Sequence, residues 1–257
     1  MPQRDTMMKT FRSLALLLLF FAVAFPAVGQ SNPPQPNDNS KKIAVINFFV
    51  QVDGNSINQL VNIVDMQMKQ GFRRFAILIS STGGETTSAF TAYNYLRGLN
   101  IEITTFNVGN VDSAATVLYC AGSKRYSLPN TRFLLHGASV GIPGPSMINA
   151  ETLETQLALL NNQNQMMIHV ISSTTKKKES EFVNIFRGQT IWTPEEAKNW
   201  GLVLDIRNEF MEPDAVMVTS ITPPVQPIPT TPQIKIATPI ETSPEWKLSG
   251  SAQKPLN

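Results

Sequence analysis

The chain has 257 residues, with 21 Lys and Arg against 19 Asp and Glu, and 42% of its side chains are hydrophobic. Charge this evenly balanced lacks the clustered positive excess that binds nucleic acid. The single cysteine, Cys120, excludes an intrachain disulfide.

Residues 8–30 read MKTFRSLALLLLFFAVAFPAVGQ. Lys9 and Arg12 precede an apolar run over 14–25, and Pro26, Ala27, Val28 and Gly29 follow it. That order is the pattern of a secretory signal peptide. The run is short of the ~20 residues that a membrane span needs, and no cysteine follows it to carry a lipid anchor. Residues 1–30 are therefore expected to be a signal peptide, or a signal anchor if they stay attached, with export to the periplasm or the extracellular space. Loss of Arg4, Lys9, Arg12 and Asp5 with that segment leaves 18 basic and 18 acidic residues.

Residues 31–40, SNPPQPNDNS, form a polar leader, and KIAVINFFV (42–50) is the first strand expected. In 56–71, Ile57, Leu60, Val61, Val64 and Met68 recur at helical spacing. FAILIS (75–80) is a continuous apolar run, expected as a strand buried on both faces, and it leads into Ser81-Thr82-Gly83-Gly84. A helix over 87–99, a strand over 101–108 and a short helix opened by Ser113 come next. KRYSLPNTRFLLHG (124–137) reads as strand, Pro-Asn turn, strand. A long helix is expected over 148–171. A short one follows over 192–201, with Thr193 as cap, Pro194 in the first turn and Gly201 at the stop. A last strand covers 202–206. From 212 onward Pro, Thr and Ser dominate, so 212–257 is expected to be a disordered tail. One domain, 41–211, remains. Its alternating strands and helices place it in the α/β class, with a largely parallel sheet whose ligands sit beyond the carboxyl ends of the strands.

Three such ends carry chemistry: Gly83-Gly84, Ser113 and His136. Serine at a helix start is ordinarily a cap, and a diglycine after a strand is ordinarily a tight turn. Acyl transfer at serine needs a hydroxyl, a base and N–H donors aimed at the oxyanion. Glycines expose backbone N–H groups, a helix start offers more, and histidine is the usual base. His136 ends an apolar strand, whereas His169 lies inside the long helix, where packing or solvation explains it. Cys120, among Val117, Leu118 and Ala121, reads as a packing residue. Lys124, the lysine after that helix, reads as a surface-turn residue rather than a base. Lys176, Lys177 and Lys178 read as a solvated helix end.

In order, STGG, GNVDSAATVLYCAG, SLPNTRFLLHG and WTPEEAKNWGLVLD resemble the proteolytic subunit of the Clp protease over about residues 43–207. The last motif has one residue more than the family's. The resemblance implies a ClpP/crotonase-like fold of repeated β-β-α units with a long protruding handle helix. It implies rings of subunits stacked through the helix at 148–171, and a peptide or unfolded protein substrate bound as an added strand. It implies Ser113 as nucleophile and His136 as general base and then acid. The oxyanion donors would be the N–H of Ala114 and one from Gly83 or Gly84. No cofactor or metal is implied, and Asp112 is left as a helix cap. Where the family carries its third residue, an aspartate, this chain has Gln189, with Asn184 and Thr190 as weaker substitutes. The family's Clp-type ATPase partner fits poorly with an exported protein. The leading expectation is an exported serine endopeptidase. A non-catalytic oligomeric scaffold or peptide-binding protein is the rival. Crotonase-type acyl-CoA chemistry shares the oxyanion logic but leaves the Ser/His pair unexplained.

Overall fold

The computed structural model describes residues 38–141 and 149–222, all but Asp38 within the unit that begins at Asn39. The expected signal segment, most of the leader and the chain beyond 222 lie outside the described residues. No helix among those described is long and apolar enough to cross a membrane.

In chain order the elements are β1 (Ile43–Phe48), α1 (Gly54–Lys69), β2 (Arg74–Ser81), α2 (Thr86–Gly98), β3 (Glu102–Asp112), α3 (Ala115–Tyr119) and β4 (Lys124–Ser127). Then come β5 (Arg132–His136), α4 (Ala150–Thr175), α5 (Glu179–Arg187), β6 (Gln189–Trp192), α6 (Pro194–Asn199), β7 (Asp205–Ile206) and β8 (Ala215–Ile221). Local chemistry sets several of the starts. Asp53 and Ser56 form a reciprocal capping box at α1, Asn149 caps α4, and Thr193 with Glu196 boxes the start of α6.

The main sheet runs β6-β5-β3-β2-β1-β8, with β4 branching from β3 and β7 from β4. Every pairing among the described strands is parallel except β5 with β6. Strand alternation divides the core between the two faces. Ala44, Ile46 and Phe48 of β1 and Phe75, Ile77 and Ile79 of β2 pack with α1, α2 and α3. Ile43, Val45, Ala76, Leu78 and Phe106 form a smaller cluster with Tyr126 and Phe210. The unbroken apolar run of β2 has this cause: both of its faces are covered. Cys120 is buried and free, and burial pushes its thiol up to about 11, as suits a packing residue.

The strand β3 forks. Thr104–Asn107 pairs with β4 and Asn110–Asp112 pairs with β5, while a register shift against β2 falls between Ile79 and Ser81. The fork turns on Asn107, which is fully buried. Its amide donates to the Arg132 carbonyl at 2.8 Å, its side-chain oxygen accepts from the Gly109 N–H at 3.1 Å, and its own carbonyl accepts from the Leu128 N–H at 2.9 Å. Gly109 sits where a Cβ would lie 2.6 Å from the Ser80 hydroxyl oxygen.

Four expectations change. The strand expected to stop at 108 runs on to Asp112, because the bulge lets it resume pairing with β5. The handle helix is Ala150–Thr175 rather than 148–171, and the elements α5 and β6 follow it. Only Asp205–Ile206 of the expected 202–206 strand is extended. The N–H groups of Leu202 and Val203 turn back to the Ala197 carbonyl, which puts both side chains in the core. Within the expected tail, Ala215–Ile221 is a strand along β1, with Ile221 buried. Its AVMVTSI is β-branched and bounded by Pro213 and Pro223, a local signal that the composition of the whole tail hides.

Asn107→Ala leaves the Arg132 carbonyl and the Gly109 N–H without their partner, at about 1–3 kcal/mol for an unsatisfied buried group. Urea denaturation is expected to show a lower midpoint at an unchanged slope.

Candidate active site

Ser113 follows the last residue of β3 and precedes Ala114, which caps α3. Its φ is +53°, the left-handed region that costs a residue with a Cβ about 1–2 kcal/mol. The Ser113 N–H donates to the Leu134 carbonyl on β5 at 2.7 Å, and its own carbonyl accepts from Thr116 at 2.9 Å. In α/β-hydrolases a strained strand-to-helix turn exposes the nucleophile's hydroxyl, and Ser113 occupies a strand-to-helix turn and is partly exposed.

The diglycine lies directly against this turn. A Cβ on Gly83 would sit 2.5 Å from the Asp112 carbonyl oxygen, 2.8 Å from the Ser113 Cβ and 3.0 Å from the Ala114 nitrogen. With φ at +82°, only glycine fits there. Gly83 donates its N–H to the Ser81 hydroxyl at 3.2 Å, and its carbonyl accepts from Val52 at 2.9 Å. Since C=O and N–H point oppositely across a trans peptide, the Gly84 N–H is directed away from Val52. A Cβ on Gly84 would meet the Val52 carbonyl oxygen at 2.2 Å, so the second glycine is equally constrained.

Asp112 is not the expected cap. The helix starts later, at Ala115, and the buried carboxylate of Asp112 accepts from Arg132 Nη2 and Asn110 Nδ2, each at 2.9 Å. That hydrogen bond holds the Arg132 guanidinium above its ordinary pKa.

His136 closes β5, half-buried, and Gln189 opens β6 directly opposite it in the antiparallel register. The His136 Nδ1 lies 2.7 Å from the Gly137 carbonyl oxygen. A carbonyl only accepts, so Nδ1 bears a proton, which in a neutral imidazole leaves the lone pair on Nε2. Gly137 in turn fits closely beneath the Phe186 carbonyl, and the Ala138 N–H donates to Asn164 on α4 at 2.6 Å. A cleft of about 840 Å³ opens here, lined by His136, Gln189, Asn164, Ile168 and Phe186 among others.

Two half-sites therefore lie side by side. One is Ser113 with Gly83, Gly84 and Ala114. The other is His136 with Gln189. The Ser113 N–H bond to Leu134, two residues before His136, joins them. Among the described residues no hydrogen bond links the Ser113 hydroxyl to His136, or His136 to the Gln189 side chain. Asn184 belongs to α5, and the Thr190 hydroxyl faces the Ile185 carbonyl at 3.5 Å. His169 is exposed and pairs with Glu179, and Lys124 pairs with Glu102. Sequence reasoning missed the Gly137 carbonyl and Asn164. A backbone acceptor has no residue signature, and Asn164 is one of several amides on α4.

A family model described as Clp protease matches residues 39–209. The chain is 28% identical over 174 residues to an ATP-dependent Clp protease proteolytic subunit 2 of Frankia casuarinae, covering 66% of this chain and 78% of that protein. It is 32% identical over 166 residues to a proteolytic subunit 1 of Rhodococcus jostii, covering 63% and 74%. Among solved structures, a point mutant of ClpP1 from Listeria monocytogenes superposes with a TM-score of 0.57 at 18% identity, over 64% of this chain and 91% of that one, which supports the fold alone. With the family model matched from β1 through β7 and across both half-sites, the chain belongs to the Clp protease family.

Proposed function

We propose that the chain is a serine endopeptidase of the Clp proteolytic-subunit type, acting through an acyl-enzyme on Ser113 with His136 as base. The observation that carries this reading is the left-handed Ser113 turn seated on Gly83, a strained conformation that capping alone does not require.

In this reading the Ser113 Oγ attacks the peptide carbonyl and its proton passes to His136 Nε2. The N–H groups of Ala114 and Gly84 receive the oxyanion. Collapse of the tetrahedral species expels the amine, which takes the proton from His136. Water then repeats the sequence to free the acid and Ser113. Catalytic hydrogen bonds looser in the free enzyme tighten with substrate bound, so the Ser113–His136 contact forms there. The Gly137 carbonyl takes over one task of the family's aspartate, fixing the tautomer with Nε2 free. It supplies no charge to stabilise the imidazolium, and neither does Gln189. Loss of that charge is worth on the order of 10⁴ in turnover, so the enzyme is slow.

The missing carboxylate is also the one observation favouring a second reading, a lapsed oligomeric scaffold or peptide-binding protein. Both readings share an assembly through α4, where Leu153, Leu157 and Leu159 are exposed. Export, carried by the pattern in residues 8–30, belongs to the proposal too. Little ATP would be present outside the cell, so short or unfolded peptides, taken without an unfoldase, are the substrates proposed.

Hydrolysis of a fluorogenic peptide library by residues 31–257 tests this. Measurable turnover is expected, lost in Ser113→Ala and raised at least about tenfold in Gln189→Asp as charge returns opposite His136. Turnover unchanged in Ser113→Ala would overturn the proposal. In Gly83→Ala, the Cβ collides with the Ser113 turn, and a fall in kcat of about 10²-fold is expected, the scale of losing one oxyanion donor.

A further inference from the structure

The fork of β3 leaves a weak point where the nucleophile sits. Only three register pairs join β3 to β5: Asn110 with Arg132, Val111 with Phe133, and Asp112 with Leu134. A ladder this short frays readily at its ends. Yet Ser113, immediately beyond it, is held in a backbone conformation that L residues resist. Something must hold the strand end in place.

Side chains on one face of the sheet provide it. Ser80 on β2 donates its hydroxyl to the Asn110 side-chain oxygen at 3.1 Å, and the Asn110 amide donates to Asp112 at 2.9 Å. Arg132 on β5 reaches the same carboxylate with Nη2 at 2.9 Å and Nε at 3.4 Å. The chain of contacts crosses three strands and ends at the residue before Ser113. The Asp112 side chain is 3% exposed and that of Arg132 is 54% exposed. The carboxylate is therefore nearly desolvated, and its contact with the guanidinium is a charge-assisted fork, stronger than a surface pair. Arg132, Leu134 and His136 share one face of β5 by strand alternation, so the ion pair grips the start of the same short strand that ends in His136.

We propose that the Asp112–Arg132 ion pair is the positioning element that holds Ser113 in its left-handed conformation and fixes the nucleophile turn to the strand bearing His136. The inference rests on the reading of Ser113 as nucleophile. Asp112 and Arg132 touch no substrate and act only through the backbone of Ser113.

Hydrogen exchange followed by mass spectrometry on the full chain, comparing native protein with Arg132→Gln, Asp112→Asn and Arg132→Lys, tests the positioning without needing activity. Exchange over residues 110–116 is expected to quicken at least about tenfold in the first two variants. Segments over β1 and β2 should stay unchanged, and Arg132→Lys, which keeps the charge, should recover most of the protection. Exchange at 110–116 unaltered in both variants, or raised equally across the sheet, would overturn the inference. Peptide hydrolysis run alongside is expected to show kcat reduced at least about tenfold with KM nearly constant, the mark of lost transition-state geometry rather than lost binding. Absence of hydrolysis by the native protein would count against the proposed activity, while the exchange data would still decide the positioning role.

Discussion

Gly83 and Ser113 touch backbone to side chain, and the candidate site depends on that approach. A Cβ at 83 would overlap the Asp112 carbonyl, the Ser113 Cβ and the Ala114 nitrogen together. The contact exists because β2 and β3 run parallel and end at the same level, Ser81 beside Val111. It survives only because β3 bulges near Gly109 and passes from β4 to β5 at Asn107. One register choice thus sets the serine, the two glycines and the Ala114 N–H within a few ångströms. The helices α1, α2 and α3 supply the buried apolar face that fixes that register, since a one-residue slip would turn every core side chain of β2 outward.

The histidine half of the site is built on different physics. His136 is placed by β5 and oriented by a backbone carbonyl rather than by a carboxylate. A neutral acceptor settles which nitrogen carries the proton but contributes little when the ring becomes charged. If the proposed reading holds, orientation and oxyanion binding together would leave a residual advantage of roughly 10³–10⁴-fold over water, as triad-depleted serine hydrolases retain. Gln189 sits across from the ring at the place where a carboxylate would matter most. On the proposed reading, a well-braced serine turn would thus be combined with a histidine that lacks a charged partner, the combination expected of a slow hydrolase.

Much of this is legible from residues alone. The apolar run of β2, the caps at Thr193 and Pro194, the glycine stop at 201 and the α/β alternation carry strong local signals, and each appears in the fold. Counting back from WTPEEA to Gln189 lands on the cross-strand partner of His136. What escapes is non-local. No pattern in NVGNVDS announces that one strand serves two neighbours, so its residues alone give a β3 that stops at 108. Asp112 reads as a cap because it precedes a helix, whereas its carboxylate is claimed by Arg132, twenty residues away. The left-handed φ of Ser113 likewise goes with partners far off in the chain, the close approach of Gly83, the Leu134 carbonyl and the grip of Arg132 on Asp112. Strand β8 hides within a Pro/Thr-rich composition because a seven-residue signal is diluted across the long segment from 212 onward.

The most direct test of the central claim is the intact mass of residues 31–257 after reaction with a fluorophosphonate probe. A single adduct is expected on native protein, absent from Ser113→Ala. No adduct on native protein, or an adduct that persists in Ser113→Ala, would contradict the reading of Ser113 as an activated nucleophile.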